Sequence, residues 1–153
     1  MAKNSAGILL YRHHEDSIQF FLVHPGGPFW VRKDEGAWSI PKGEFNESES
    51  AFDAAKREFM EETGIPLKAE RYIELSSVKS KSGKIIFAWG ASGHIDPHEI
   101  SSNTFDLKMP SGKKVEFPEI DKGDWFSFEE ALVKINPAQV ALLVELKNKI
   151  NHN

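Results

Sequence analysis

The sequence predicts an α/β domain built in layers, a mixed β-sheet packed between helices, and three observations predict it. Two short apolar runs near the start flank a polar tetrapeptide. A middle segment repeats its apolar residues at helical spacing. A β-rich stretch then leads into two capped helix starts. Elements in this order read as layers around one core. The 153 residues suit a single domain over 1–153.

The apolar runs are Ala6 to Tyr11 and Ile18 to Val23. His13-His14-Glu15-Asp16 lies between them, so they read as paired strands. Pro25-Gly26-Gly27-Pro28 reads as a plain turn. From Ser48 to Thr63, Phe52, Ala55 and Phe59 recur at helical spacing. Asn46 is the expected cap of this helix, with Glu49 as its capping-box partner. Gly64 should stop it, and Pro66 prevents continuation. Residues 67–125 look β-rich. Ile85 to Trp89 is a strand after a Ser82-Gly83 turn, and Asn103 to Met109 should pair with Lys113 to Phe117. Ser127-Phe128-Glu129-Glu130 opens a second helix with a capping box. Asn136-Pro137 opens a third, with Val140, Leu143, Val144 and Leu146 as its packing face. The short C-terminal tail is expected to fray.

Composition narrows the function classes. The net charge is −4, and a nucleic-acid partner wants a basic face. Nucleic acid is therefore an unlikely main partner. A small polyphosphate remains open, because bridging metal ions can supply positive charge. The chain has no cysteine, which excludes disulfides, thiolate catalysis and Cys-ligated zinc. The first residues, Met1-Ala2-Lys3-Asn4-Ser5, lack the apolar stretch of a signal peptide, and no run approaches a membrane span. These features lead us to expect a soluble cytoplasmic protein with no membrane partner. The oligomeric state, monomer or homodimer, stays open.

The segment from Gly43 to Ile65 carries the chemistry. At ~100° per residue, Glu58, Glu61 and Glu62 fall within about 100° of arc on one helix face. Like charges at these spacings repel by a few tenths of a kcal/mol per pair. They sit beside the apolar stripe and toward the helix C-terminus, the unfavourable end of the macrodipole for a negative charge. Acidic pairs on helices are usually plain solvated charge. Three in this setting instead suggest divalent cations, with Mg²⁺ the best match to carboxylate oxygens and substrate phosphates.

The wider pattern is more specific. Gly43, Glu49, Arg57-Glu58, apolar Phe59, Glu61-Glu62, Gly64 and apolar Ile65 match every fixed position of the Nudix box. The chain therefore resembles the Nudix hydrolase family. The lead-in Gly36-Ala37-Trp38-Ser39-Ile40-Pro41-Lys42-Gly43-Glu44 is similar to the MutT-like and diadenosine-tetraphosphate branches. The resemblance implies a Nudix-type α/β/α sandwich with a loop–helix–loop catalytic motif. It also implies Mg²⁺, with Mn²⁺ a possible substitute, and a nucleoside-diphosphate-linked substrate. By carry-over, Glu58, Glu61 and Glu62 would bind metal, and the backbone carbonyl of Lys42 or Gly43 would add an oxygen. Glu58 is also a candidate for water activation. Arg57 would hold the glutamates by charge-assisted hydrogen bonds. Glu49 is a supporting or outer ligand, unless its capping role accounts for it.

Other candidates lie outside the box. In several Nudix enzymes the general base sits on a late loop, where Glu116 and Glu119 are the available carboxylates. Glu119 is preferred, because Pro118 puts it in irregular chain while Glu116 reads as strand. Lys42 precedes the box glycine, where a cation could meet a substrate phosphate. Trp30, Trp38, Phe87 and Trp89 could stack on a base, although most such rings belong to a core. Trp38 adjoins the lead-in and is the chosen substrate-binding candidate. His13-His14 and His94/His98 lack partners at ligand spacing and read as loop histidines.

The expected activity is hydrolysis of a phosphoanhydride, with a dinucleoside polyphosphate such as diadenosine tetraphosphate preferred as substrate. The alternatives are a MutT-type nucleoside-triphosphate pyrophosphohydrolase and a non-catalytic nucleotide sensor. Action on capped RNA is disfavoured by the acidic balance. Two marks of substrate choice are absent. Lys81-Ser82-Gly83 stands where many asymmetric diadenosine-tetraphosphate hydrolases carry a tyrosine. Ser80 stands where many ADP-ribose hydrolases carry a proline.

Overall fold

The computed structural model describes residues 4–151. Strands β1 (Asn4–His14) and β2 (Ser17–Pro25) form the expected hairpin. Glu15 and Asp16 turn it with φ of 47° and 64°, the left-handed geometry that a two-residue hairpin loop requires. Strands β3 (Lys42–Phe45), β4 (Tyr72–Glu74), β5 (Val78–Lys79), β6 (Ile85–Ser92) and β9 (Ile120–Ser127) complete a seven-stranded sheet. Its order is β4-β6-β1-β2-β9, with β3 paired to β1 and β5 to β6. Only the β1–β6 pair is parallel, so the sheet is mixed. Strands β7 (Thr104–Lys108) and β8 (Lys114–Pro118) form a separate antiparallel ribbon, the expected pairing.

Helix α1 (Ala51–Thr63) covers one face of the sheet, and α2 (Phe128–Lys134) and α3 (Val140–Asn151) cover the other. Strand β1 serves both cores, which is why its sequence is a continuous apolar run. Ala6, Ile8 and Leu10 meet Ala54, Ala55 and Phe59 of α1, while Leu9 and Tyr11 join the core of Leu142, Leu143 and Leu146. Alternate side chains of a strand point to opposite faces, so one strand feeds two layers.

The site depends on a gap in this sheet. β1 and β2 pair only from Tyr11–Phe20 to His14–Ser17. Beyond that point they separate, and residues 38–45 fill the space. Ser39 exchanges both backbone bonds with Val23, at 2.8 and 3.0 Å, and the Ile8 amide donates to the Pro41 carbonyl. β3 then continues along β1 from Asn4 to Gly7. The carbonyl of Pro41 would lie 2.5 Å from a Cβ at position 7, so Gly7 permits this approach.

Two boundaries differ from expectation. Asn46 does not cap α1. Its Oδ1 accepts from the Ser48 amide at 2.8 Å, and Ser50 is the true cap, accepting from the Asp53 amide at 3.1 Å. Glu49 is drawn away from a capping box by Arg57. The third helix also begins later: Pro137–Gln139 is a single 3₁₀ turn capped by Asn136, and α3 starts at Val140. Its buried face is Leu142, Leu143, Leu146 and Ile150; Val144 lies about 100° round from Leu143 and is 41% exposed. Gly64 and the Ser127–Glu130 capping box behave as expected. The tail expected to fray includes residues 152–153, and the first segment weighed for a signal peptide includes 1–3, both outside the described residues. Among those residues no helix is long and apolar enough to cross a membrane.

Candidate active site

Residues 46–50 turn the chain from β3 into α1, so the helix packs back over the strand that precedes it. The box glycine is explained by this packing. A Cβ at Gly43 would fall 2.0–2.5 Å from the Glu58 carboxyl atoms, so only glycine lets that carboxylate rest against β3. One turn on, the Glu62 Oε1 accepts the Lys42 amide at 3.0 Å. Strand and helix thus clasp each other through two carboxylates.

Arg57 organises the outer side. Its Nε and Nη2 serve Glu49, at 2.5–3.2 Å. Its Nη1 donates to Glu58 Oε1 at 2.7 Å and to Glu61 Oε2 at 2.8 Å. Glu49 first, then Glu58, hold the guanidinium well above its ordinary range. These fork geometries need a planar, multi-donor group that lysine lacks.

Glu119 arrives from 57 positions beyond Glu62 in sequence. The C-terminus of α1 is tied to the following chain by two backbone bonds, Ser101 N to Thr63 O (2.9 Å) and Asn103 N to Glu61 O (3.1 Å). The Asn103 carbonyl accepts the Glu119 amide at 2.8 Å, and the Glu119 carbonyl accepts the Gly26 amide at 2.9 Å. Glu119 is therefore held where β8 ends and β9 begins, beside the box. Its field reaches Glu58 and Glu62, and the field of Glu61 reaches Glu119.

Burial sets the electrostatics. Desolvation pushes Glu58 up, with Arg57 pulling the other way. Desolvation pushes Glu119 up, and Glu61 adds to it. Glu62 is pushed furthest, to about 8, because it has only an amide and a lysine to offset burial. Burial also lowers that lysine, Lys42, against the pull of Glu62. All these groups are held off their ordinary values because charge at this end of the sheet lacks enough compensation.

The donor set fits a divalent cation. Carboxylate oxygens suit a hard ion, and the cost of desolvating Glu58 and Glu62 is what such an ion removes. As the side chains stand, no three acidic or histidine groups among the described residues surround a common point at ligand distance. Arg57 Nη1 accounts for part of this, since it takes one oxygen each from Glu58 and Glu61. It can yield both while Nε and Nη2 keep the guanidinium anchored on Glu49.

The remaining candidates divide. Lys42, Glu62 and Glu119 line one cleft of about 230 Å³. Trp38 does not. It is 5% exposed, its indole N–H donates to Asp34 at 2.8 Å, and Phe126 and His24 pack edge-on to it. Its expected stacking role is corrected to a core role: Trp38 packs with Ile40, Phe126 and Ile135 in the core beneath α2 and α3, while Lys42, on β3, lines the cleft. Trp30 lines the cleft instead. Phe87 and Trp89 pack on the α1 core. Gln139 is a positioning residue the sequence did not disclose. It is 2% exposed, and its Oε1 accepts the Ile40 amide at 3.1 Å, fixing the lead-in to β3. His94 contacts Arg12 at 2.7 Å, and neither it nor the other histidines joins a metal cluster among the described residues. Glu116 lies in β8 and is exposed, as expected.

Comparison with known proteins agrees with this geometry. The NUDIX domain profile matches residues 1–146. An RNA pyrophosphohydrolase of Bartonella henselae is 32% identical over 145 residues, covering 88% of this chain. The chain spans 66% of that relative's length. A C. elegans Ap4A hydrolase binary complex superposes with a TM-score of 0.69 at 21% identity, covering 97% of this chain and 99% of that one. The NUDIX domain of Shewanella oneidensis NrtR, complexed with ADP ribose, superposes with a TM-score of 0.69 at 14% identity, covering 98% and 89%. These structural likenesses support the α/β sandwich, and the match over 1–146 settles membership: the chain belongs to the NUDIX domain family, a family of hydrolases acting on phosphorus-containing anhydrides with divalent metals.

Proposed function

We propose that this chain is a Mg²⁺-dependent hydrolase of a phosphoanhydride bond in a dinucleoside polyphosphate such as diadenosine tetraphosphate. The observation that carries the hydrolase reading is that Glu119 lines one cleft with Glu62 and Lys42, against the helix that carries Glu58 and Glu61. Glu58, Glu61, Glu62 and the carbonyl of Gly43 would hold the metal, with Mn²⁺ as a substitute. When bound, the metal supplies a polarised water and neutralises phosphate charge. Glu119 takes the proton from the attacking water, since it comes from a separate element and faces the box across the cleft. Before metal enters, Arg57 positions Glu58 and Glu61 through Nη1, and it stays anchored on Glu49 when they turn to the metal. Lys42 offers its ammonium to a phosphate oxygen, a contact whose strength rises because the lysine is desolvated.

A second reading has its own support. The Bartonella henselae relative is an RNA pyrophosphohydrolase, which favours a 5′-triphosphate end as substrate. A MutT-type nucleoside-triphosphate pyrophosphohydrolase shares that chemistry. A nucleotide sensor is disfavoured by the intact Arg57-Glu58 and Glu61-Glu62. Diadenosine tetraphosphate, nucleoside triphosphates, ADP-ribose and 5′-triphosphate RNA should be incubated with protein and Mg²⁺, and products identified by chromatography. We expect fastest turnover of the dinucleotide; faster release of pyrophosphate from RNA selects the second reading. No turnover with either Mg²⁺ or Mn²⁺ overturns the hydrolase proposal. A cytoplasmic location goes with these substrates and is checked by cell fractionation.

A further inference from the structure

His24 is a buried titratable side chain with no part in the hydrolase reading. It is 1% exposed, near the end of β2. Its Nδ1 lies 2.9 Å from Asp121 Oδ1, and its Nε2 lies 2.6 Å from the Lys33 carbonyl oxygen. Trp38 packs edge-on to the ring at 5.3 Å. A carboxylate and a carbonyl are both acceptors, so the imidazole serves the two together by donating from each nitrogen. One side chain thus ties the 26–35 loop to the head of β9, across 9 and 97 positions of sequence.

The place of Asp121 on β9 connects this clasp to the site. β2 and β9 pair regularly as far as His24–Lys122, and the next pair is Pro25–Ile120. The register skips Asp121, which is therefore the extra residue of a β-bulge. Bulges bend a strand and re-aim the side chains beside them. Glu119 stands two residues before Asp121, exposed, with its backbone bonded to Gly26 and Asn103. Ser102 holds Ile120, whose amide donates to its hydroxyl at 3.0 Å, and His24 holds Asp121. We propose that His24 is a positioning residue for Glu119: through Asp121 it locks the bulge from which that carboxylate reaches the cleft. The inference rests on the reading of Glu119 as proton acceptor and adds to it what aims the group. With Asp121 released, β9 is free to recover regular pairing with β2, and a slip of one residue turns side chains to the opposite face of a strand. A displacement of about 1 Å at a reacting group is enough to slow a reaction severalfold or more.

Two substitutions separate the two arms of the ring. His24→Gln sets an amide donor where Nε2 stands, keeping the Lys33 bond and giving up Asp121. His24→Asn sets one where Nδ1 stands, keeping the Asp121 bond and giving up Lys33. Turnover is measured on the full chain with Mg²⁺ and diadenosine tetraphosphate, or with ATP where that is faster. We expect His24→Gln to lower kcat about tenfold with KM within about twofold, and His24→Asn to rescue kcat to within about threefold of wild type. Asp121→Ala should match His24→Gln, and it serves if that variant fails to melt cooperatively. The role is overturned if kcat simply follows melting temperature across the three variants, or if Asp121→Ala keeps full kcat. Hydrogen exchange reads the clasp without turnover. The Gly26 amide, bonded to the Glu119 carbonyl, should exchange about tenfold faster in His24→Gln and near the wild-type rate in His24→Asn. An unchanged rate in His24→Gln overturns the clasp. In a Glu119→Gln background, His24→Gln should lower kcat no further, and an equal further loss overturns the positioning of Glu119. Full activity in Glu119→Gln with faster Gly26 exchange in His24→Gln sinks the proton-acceptor reading and leaves the clasp. A slow Glu119→Gln enzyme beside an unimpaired His24→Gln enzyme sinks the positioning role alone.

Discussion

Glu58 and Glu62 lie one helical turn apart on the same face of α1, yet they are compensated differently. Glu58 rests against Gly43 and receives a guanidinium donor at 2.7 Å. Glu62 receives a backbone amide at 3.0 Å and faces a lysine that burial itself pushes toward neutrality. One carboxylate is therefore held by a fixed cation and the other awaits one. A site built this way keeps a rigid anchor on its Arg57 side and stores unmet electrostatic demand on its Lys42 side. An incoming cation is drawn most strongly where compensation is poorest.

Removing either carboxylate should have the largest effect on activity. Glu58→Gln and Glu62→Gln are each expected to lower kcat by about 10³-fold, with native circular dichroism. Their stabilities should diverge. Without metal, Glu62→Gln should melt higher than wild type, because it removes a carboxyl whose burial is poorly compensated, while Glu58→Gln should gain less, because Arg57 already offsets part of that cost. Equal shifts would dissolve the contrast between the two sites. Gly43→Ala comes next, with an expected loss of about 10²-fold in kcat/KM, since the new Cβ displaces the Glu58 carboxylate from β3. A Gly43→Ala enzyme with full activity would show that Glu58 works from another position.

Arg57→Lys tests the anchor and should cost about tenfold in apparent Mg²⁺ affinity, read from activity against metal concentration. One ammonium cannot serve Glu49, Glu58 and Glu61 together. The smallest effect concerns the metal-free protein alone. The Glu62 carboxyl titrates near 8 in the fold and near 4.5 in the unfolded chain. Below the lower value both states are protonated and the shift has no effect. Between the two values the unfolded chain releases its proton while the fold keeps it, so stability falls as pH rises and levels off above the upper one. Stability read by urea unfolding in EDTA should fall between pH 5 and 9, and Glu62→Gln should flatten that slope. A slope unchanged by the substitution assigns the loss to another group.

Much of this site was legible in the chain. Glu58, Glu61 and Glu62 share a face because helical periodicity places them there, whatever surrounds the helix. Gly64 stops α1 with φ 72°, and Ser127 with Glu130 caps α2, from local chemistry alone. The placement of Glu119 in irregular chain after Pro118 also agrees with the structure. The failures have a common origin. Asn46 and Glu49 form a plausible capping box until Arg57 competes for Glu49. Trp38 and Trp30 are equally aromatic and Trp38 is the nearer to the box in sequence, yet packing sends the first into the core and the second to the cleft.

The sequence by itself determined the strand runs, the helix stops, the carboxylate face of α1 and the family to which they belong. Those features depend on neighbours within about two turns or one strand, where spacing dictates geometry. Only the tertiary structure decided that β1 and β2 part to admit residues 38–45, that Glu119 reaches the box, and that Trp30 and Phe105 line one cavity. These depend on bonds between distant positions, such as Asn103 to Glu61 and Gly26 to Glu119. Such bonds form because buried backbone groups must find partners, and which partner is nearest is settled by the packed fold.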